Sequence, residues 1–361
     1  MVKDVCIILV NWNGWRDTIE CLESLFRNDY PHYQVIVCDN GSSDRSVEYL
    51  SAWAEGRLGV EVDESNPLKR LVLPRVPKPI RYVECERALA EAGGAAQCRD
   101  ARLVIVRNRA NVGLGEGNNV GMRYALARKV FDYCWLLNND TVIEPTALSQ
   151  MVARMEDGGT VGMCGSTILY YSHPTRIQSL GGATYNRWTG VPRSVGEWQT
   201  FDPAIASQSI DRKLDYINGA SLLVSTPFVR DIGLMSTRYF LYYEELDWSA
   251  RADGRYRIVY APESIVYHKH GASIGSSRNP SEISEISDYY ALLSRLSFTK
   301  TYYPYALPTV YLGFVVTVFN RIRRGQWRRI GLVARVLWRH LLSFFVQSPL
   351  AEEPQERAHS A

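Results

Sequence analysis

The chain has 361 residues, is 46% hydrophobic, and carries 41 Lys or Arg against 38 Asp or Glu. That composition excludes a disordered or fibrous protein and can bury a sizeable core, in one large domain or two to three smaller ones. The net charge of +3 hides a division: residues 289–351 hold nine Lys or Arg and no Asp or Glu, leaving 32 basic against 38 acidic residues elsewhere. No basic patch is joined to a nucleic-acid reading motif, so nucleic acid is not an expected partner. Seven cysteines lack metal-ligand spacing, and Cys6, Cys38 and Cys134 fall inside predicted strands. They read as small buried hydrophobes of a reducing compartment. Asn11 and Asn13 interrupt the first apolar run too early for a secretory leader, so a cytoplasmic location is expected.

Val5 to Val10 reads as a central strand followed by the loop Asn11-Trp12-Asn13-Gly14 and a helix over residues 16–28, with Ile19, Leu22, Leu25 and Phe26 at helical spacing. Gln34 to Cys38 is a second strand. It ends in Asp39-Asn40-Gly41-Ser42-Ser43-Asp44, and a helix through Val47, Leu50 and Trp53 follows. Repeated strand, loop and helix units argue for an α/β protein with a mostly parallel sheet flanked by helices. Residues 59–100, punctuated by Pro67, Pro74, Pro77 and Pro79, break that rhythm and read as an insertion, with a short helix over Tyr82–Ala92. The pattern resumes with a strand at Leu103–Val106, the loop Asn108–Asn119, a helix through Met122 and Leu126, and the strand Tyr133–Leu137. Val161–Leu169 and Ile217–Ser225 are further strands separated by a turn-rich region, and Arg257–Tyr260 is a late one. One catalytic domain is expected over 1–288 and a basic helical tail over 289–361. The tail's apolar run Tyr305–Phe319 is shorter than the roughly 20 residues of a straight membrane span. It suits peripheral contact with anionic membrane, while a helix pair with a solvated arginine face explains the same residues.

Two apolar strands end abruptly in acids, one at Asp39 and one at Asn138-Asn139-Asp140. In a parallel sheet both ends open on one crevice, where such folds bind ligands. Asp39 can accept from a base imide N–H, with Asp44 five residues on; the same stretch equally suits an Asx-turn capping the next helix. Asp140 is a hard oxygen ligand for Mg²⁺ or Mn²⁺ when phosphate oxygens and one further side chain complete the shell, and His268 or His270 could supply it. The glycines of Asn111-Val112-Gly113-Leu114-Gly115-Glu116-Gly117-Asn118-Asn119 allow close backbone approach to a ligand, but they follow a strand too late in the chain for a dinucleotide fingerprint. Glu244, Glu245 and Asp247 stand within four residues among Tyr242, Tyr243 and Trp248. Mutual repulsion and burial would raise one carboxyl toward the range of a general base, although a solvated helix N-terminus would also use three acids. Asn218-Gly219, before another strand, reads as a border of an acceptor pocket or as a tight turn.

Ile8-Leu9-Val10-Asn11-Trp12-Asn13, Asp39 to Asp44, Asn111 to Gly121, Leu137 to Asp140, the 244–248 cluster and Tyr267-His268-Lys269-His270-Gly271-Ala272-Ser273 together resemble the bacterial family 2 glycosyltransferases of GT-A fold, in their rhamnosyltransferase-like branch. The resemblance spans residues 5–275 in family order. It implies a Rossmann-like sheet and an inverting transfer in one displacement, in cell-surface polysaccharide synthesis. By that resemblance Asn11, Asp39, Asp44, Asn111, Gly113, Asn118 and Asn139 face a dTDP- or UDP-linked sugar, and Asp140 and His268 hold Mg²⁺ or Mn²⁺. Glu245, with Asp247 and Glu244 as alternatives, deprotonates the acceptor, with Trp248 of the same cluster on the acceptor side; Asn218 and Gly219, outside the matching motifs, are placed there by their position before a strand. The donor expected first is dTDP-L-rhamnose and the acceptor a glycan or polyprenyl-diphosphate-linked saccharide at the inner face of the membrane. A UDP-linked galactofuranosyl or hexosaminyl donor, or a sugar nucleotidyltransferase, stands as the alternative.

Overall fold

The computed structural model describes residues 2–63, 65–203, 210–269 and 284–342. Its first half follows the expected units. Strand β1 (Val5–Asn11) leads to helix α1 (Trp15–Leu25), β2 (Tyr33–Asn40) to α2 (Ser46–Ala54), and β4 (Leu103–Asn108) to α4 (Leu114–Arg128) and then β5 (Tyr133–Leu137). The central stretches of these strands are apolar because helices cover both faces, and Cys6 to Leu9 and Val35 to Cys38 are fully buried. All seven cysteines are buried free thiols.

Beyond β5 the chain forms β6 (Thr141–Ile143), α5 (Ala147–Met155), β7 (Val161–Tyr170), β8 (His173–Leu180), β9 (Gly182–Asn186), β10 (Val191–Ser194), β11 (Tyr216–Ile217) and β12 (Ser221–Ser225). Helices α6 (Thr226–Ile232) and α7 (Glu244–Ala252) precede the long strand β13 (Arg257–His268). The main sheet runs in the order β3-β4-β2-β1-β5-β12-β7-β13-β6, with β8 paired to β7 and with β3 (Tyr82–Glu86) at its edge. Strands β3, β4, β2, β1 and β5 are parallel, but β12 enters antiparallel between β5 and β7, and β6 is antiparallel to β13. The sheet is therefore mixed, with its first five strands parallel as expected and both senses beyond β5. Strand β12 enters from the three-stranded sheet, following β11 through the tight turn at Asn218–Ala220 rather than a crossover helix from a parallel neighbour. A separate three-stranded sheet, β10-β9-β11, stands where the sequence reads as turns.

The insertion is also more ordered than its composition suggests. Tyr82–Glu86 is strand β3, not helix, and only Arg87–Glu91 (α3) is helical. Strand β3 alternates outward carboxylates with inward residues, and Glu84 binds Arg107 of β4 at 2.9 Å, so the pairing is set by a neighbour far along the chain. The preceding loop is pinned by fully buried Glu23 of α1, which accepts from Trp53 Nε1 at 2.8 Å and from the Val76 N–H at 2.8 Å. Lys78 sits 3.4 Å from the same carboxylate and 3.3 Å over the Trp53 ring, and burial pushes its ammonium down to about 8.

Three helices close the described chain: α8 (Glu285–Tyr302), α9 (Leu307–Arg323) and α10 (Trp327–Leu342). Helix α8 packs on the preceding residues. Its Phe298 is fully buried, 5.1 Å from the Tyr185 ring, and Ser294 donates to the Leu241 carbonyl. The expected boundary at 288 falls inside this helix. Helices α9 and α10 pack on α8 through Leu293, Leu296, Val310, Phe314 and Val336. A buried pair of Arg321 with Asp288 at 2.7 Å ties α9 back to α8. The helical segment Pro304–Arg323 has 20 residues and a mean hydropathy of 1.2, which by length and composition reaches a membrane span, and 22% of its apolar window is buried.

The glycines of α4 serve packing. A Cβ on Gly117 would lie 2.8 Å from Val10 and one on Gly121 2.5 Å from Ile8, so the helix lies directly on β1 because these positions lack side chains. Gly121→Val is expected to lower stability by about 1–3 kcal/mol through overpacking. A urea titration with an unchanged midpoint would contradict that packing role.

Candidate active site

Parallel pairing brings Asn11 opposite Asp39, and Ile8 opposite Leu136, so the ends of β1, β2 and β5 share one edge. A network spans it. Asn11 Nδ2 donates to Asp39 Oδ1 at 2.7 Å, the Ser42 hydroxyl donates to the same oxygen at 2.6 Å, and the Ser42 N–H reaches Asp39 Oδ2 at 3.0 Å. Asn11 Oδ1 accepts from the Thr18 hydroxyl at 2.9 Å, and Asn139 Nδ2 reaches Thr18 Oγ1 at 2.9 Å and Asn11 Oδ1 at 3.4 Å. Asp39 is thereby held rigid with a lone pair of Oδ2 still available to an N–H donor. Asn139 acts as a brace between loops. Asp44 Oδ1 accepts from the Ser46 N–H and hydroxyl, the capping alternative, while Asn13 Oδ1 holds the Ser43 and Asp44 N–H groups.

Asp140 and His268 meet at the neighbouring corner, where β13 passes antiparallel to β6. Their side chains are 3.1 Å apart, Oδ1 to Nε2, and both are buried. Gln178 of β8 lies 3.1 Å from His268 Nδ1; with its carbonyl oxygen accepting there, Nε2 is turned toward Asp140. Asn138 Nδ2 lies 3.3 Å from His268 Nε2. Burial alone would raise the Asp140 carboxyl, but His268 and Lys269 outweigh it and hold the group below the usual carboxylate range. Lys269 is itself fixed between Asp17 and Glu20 of α1, each at 2.5 Å. One ionised carboxylate and one oriented imidazole fit a divalent cation whose other ligands are phosphate oxygens and water. Among the described residues no group of three or more His, Cys, Asp or Glu could hold a metal unaided. His270 lies outside the described residues.

The glycine loop does not open toward this corner. Gly113 has a φ of 83° and its Cβ would lie 2.7 Å from the Phe240 carbonyl oxygen, so it is a close approach to the segment before α7. Asn111 Oδ1 accepts from the Gly113 N–H at 3.0 Å, Asn40 Nδ2 donates to the Gly113 carbonyl at 3.0 Å, and Asn118 is buried in α4.

The acidic cluster forms the first turn of α7, entered through two consecutive left-handed residues, Tyr242 (φ 66°) and Tyr243 (φ 73°). Such backbone costs on the order of 1–3 kcal/mol per residue and persists where surroundings impose it. Here the Tyr243 hydroxyl donates to the Gly190 carbonyl at 2.5 Å and the Tyr242 hydroxyl lies 2.5 Å from Ser287 Oγ. The three acids then separate. Asp247 is 2% exposed and saturated, by Arg251 Nε at 2.7 Å, the Tyr302 hydroxyl at 2.8 Å and the Tyr239 hydroxyl at 3.3 Å. Glu244 is 1% exposed, neither carboxyl oxygen has a hydrogen-bond partner, and burial followed by the neighbouring Glu245 pushes its pKa well above the usual range. Glu245 is half-buried, and burial moves its pKa up to about 7. A Cβ on Gly219 would lie 1.7 Å from Glu245 Oε1, so the Asn218-Gly219 turn and this carboxylate occupy one place. The turn is braced by Asn218 Oδ1 accepting from the Ala220 N–H at 2.9 Å.

Trp248 requires correction. It is fully buried, donates from Nε1 to the Gly233 carbonyl at 2.8 Å and packs 5.3 Å from the Phe228 ring, so it belongs to the core and cannot face an acceptor. Gln178, Thr18 and Ser42 join the expected residues at the site. Ser42 sits inside the Asp39–Asp44 motif, whereas Gln178 lies in a stretch without strand periodicity.

The sheet edge thus carries the rigidly held Asp39 carboxylate and the buried Asp140–His268 pair, and the raised Glu245 carboxyl stands beside the glycine turn. The sequence matches the family Glycosyl transferase family 2 over residues 6–66 and 86–214, more than half of the chain, and the protein belongs to that family. It is a nucleotide-sugar-dependent glycosyltransferase with a GT-A-like fold. The unmatched residues 67–85 fall within the insertion. Among solved structures it resembles the mannosyltransferase PcManGT from Pyrobaculum calidifontis, in complex with GDP-Man and Mn²⁺, at 12% identity and a TM-score of 0.51 over 94% of this chain and 88% of that one. Residues 1–349 of S. aureus TarS give 12% identity and a TM-score of 0.46, over 81% and 64%. GalNAc-T7 with UDP, GalNAc and Mn²⁺ gives 13% and 0.49, over 82% and 51%. No curated protein sequence matches the chain.

Gly219→Ala is expected to displace the Glu245 carboxylate and lower turnover about 10²-fold while leaving donor KM unchanged. Steady-state kinetics showing wild-type kcat would separate Gly219 from the reacting centre.

Proposed function

We propose that the protein is an inverting, divalent-metal-dependent glycosyltransferase acting in a single displacement. The observation that carries this reading is the separation of the acids of α7: Asp247 is saturated and Glu244 sealed, whereas Glu245 is accessible, beside Gly219, with a carboxyl raised to about 7. Glu245 takes the proton of the acceptor hydroxyl as its oxygen attacks the anomeric carbon. The bond from that carbon to the diphosphate oxygen breaks on the opposite face, and the nucleoside diphosphate leaves with the electron pair. Asp39 fixes the base, with Asn11 and Ser42 holding its carboxylate in place. Asp140 and His268 hold Mg²⁺ or Mn²⁺, which when bound neutralises charge on the departing diphosphate. The PcManGT complex, which holds Mn²⁺, supports the metal assignment by analogy of fold.

None of the similar structures named above is a rhamnosyltransferase, so a dTDP-rhamnose donor has no support beyond the sequence resemblance. The UDP-linked alternative takes precedence, and GDP-linked sugars join it because PcManGT holds GDP-Man. The acceptor is a hydroxyl of a glycan or of a lipid-linked saccharide. The basic tail contacts anionic lipid, and the seven free cysteines suit the cytoplasmic face of the membrane.

The test is a panel of UDP-, GDP- and dTDP-sugars scored for release of nucleoside diphosphate. One donor is expected to turn over, with activity abolished by chelation and restored by Mn²⁺ or Mg²⁺, and Asp140→Ala is expected to lose at least 10²-fold. Turnover at wild-type rate in that variant would remove the metal assignment. Incorporation of a nucleoside triphosphate with pyrophosphate release would establish the nucleotidyltransferase alternative.

A further inference from the structure

The turn joining β9 to β10, Arg187-Trp188-Thr189-Gly190, reaches across to the tail helices. Its shape is set by Asn186, whose Oδ1 accepts from the Trp188 and Thr189 N–H groups at 3.0 and 3.1 Å, and by Gly190 at a φ of 69°. Arg295 of α8, nine-tenths buried, donates from Nε to the Thr189 carbonyl at 2.8 Å and lies 5.1 Å over the Phe314 ring of α9. Thr309 of α9 donates to the Trp188 carbonyl at 2.6 Å, and the Trp188 ring meets the Tyr305 ring edge-on at 5.5 Å.

Tyr305, Leu312, Val316 and Phe319 fall on the same side of the helical segment as Thr309, at spacings of three or four residues, and all four are exposed. Leu312 is 64% exposed and Trp188 49%, so Trp188 extends the apolar stripe at its N-terminal end. The opposite side of α9, Val310, Phe314 and Arg321, is buried against the neighbouring helices. A helix packed along one side and bare along the other lies flat on an apolar phase rather than crossing it. Helix α10 adds Trp338, 66% exposed, and Leu341. Arg323, Arg324, Arg328 and Arg335 are exposed around them in a stretch with no Asp or Glu from 289 to 351. Exposed apolar residues, aromatic rings and arginines with no Asp or Glu in the same stretch match the layers of an anionic bilayer: acyl chains, interface and headgroups.

We propose that Trp188 and the bare faces of α9 and α10 form one docking surface for an anionic lipid bilayer, stapled to the catalytic domain by Arg295. The proposal rests on the reading that the tail contacts lipid and adds a contact from the catalytic domain itself. Strand β9 runs from this turn to Gly182, which pairs with Ile217 just before Asn218-Gly219. The Gly190 carbonyl, next to Arg295's anchor at Thr189, also receives the Tyr243 hydroxyl that holds the start of α7.

The test is co-sedimentation of the full chain with phosphatidylcholine vesicles with and without phosphatidylglycerol. The wild type is expected to bind the anionic vesicles, and Leu312→Glu with Val316→Glu to abolish binding. Trp188→Ala is expected to weaken binding about tenfold. Leu89→Ala, removing an exposed apolar side chain beside edge strand β3, is expected to bind as the wild type, with thermal midpoints confirming that every variant folds. Wild-type binding by Trp188→Ala, with loss in the double variant, would show that the tail docks alone and overturn the composite surface. Failure of the wild type to bind anionic vesicles would overturn the membrane reading itself. Self-association in sedimentation velocity without lipid, lost in the double variant, would assign the surface to a second copy of the chain.

Discussion

The constraint on which the site depends is the parallel placement of β1 between β2 and β5. With Ile8 opposite Leu136 and Asn11 opposite Asp39, three strands stop at one level, and the polar residues ending each must satisfy one another there. Asn11 does so from the centre, donating to Asp39 and accepting from Thr18 and Asn139. A one-residue slip of any strand would turn these groups into the helix layers and leave buried polar atoms unpaired. The sheet thus builds the donor side of the site before any catalytic group is added. Close packing of α4 on β1 through Gly117 and Gly121 holds the register from behind.

The catalytic side has a different origin. Helix α7 is delivered by two strained tyrosines and held by contacts from the second sheet and from α8, with Trp248 and Ala252 anchoring it in the main core. Helical geometry then sorts its acids. Glu244, Asp247 and Trp248 share the inward face at spacings of three and four, while Glu245 is rotated to the half-exposed side. Burial that seals one carboxyl and saturates another leaves the third raised and accessible beside a residue with no side chain. The two halves meet without a shared element, which accounts for a site assembled from strand ends on one side and a helix start on the other.

What was legible in the sequence follows this division. Strands β1, β2, β4 and β5 are long apolar runs ending in Asn and Asp, and both the fold class and the positions of Asp39 and Asp140 could be read from them. Strands β8, β9 and β10 are half-exposed and polar, and β3 depends on an ion pair between Glu84 and Arg107, so no local pattern announced them. Gln178 was lost with β8. The sense of β12 is set by its pairing with β5 and β7, strands distant in the chain, which hydrophobicity does not record. The proposed preference for Glu245 over Asp247 rests on Arg251, Tyr239 and Tyr302, which occupy Asp247, and no local pattern announces them, the last lying 55 residues away. Trp248 was misplaced for the same reason, since an aromatic beside acids looks like a sugar platform until the helix face is known.

The central claim is that Glu245 is the base, and the pH dependence of acceptor kcat/KM in wild type and Glu245→Gln tests it most directly. A carboxyl raised to about 7 is protonated below that pH and cannot take the acceptor's proton, so the wild-type rate should climb about tenfold per unit and level off above 7. Glu245→Gln should fall by about 10²–10⁴-fold and lose that acid limb while still binding donor. Wild-type turnover in the variant, or the same limb surviving in it, would contradict the account.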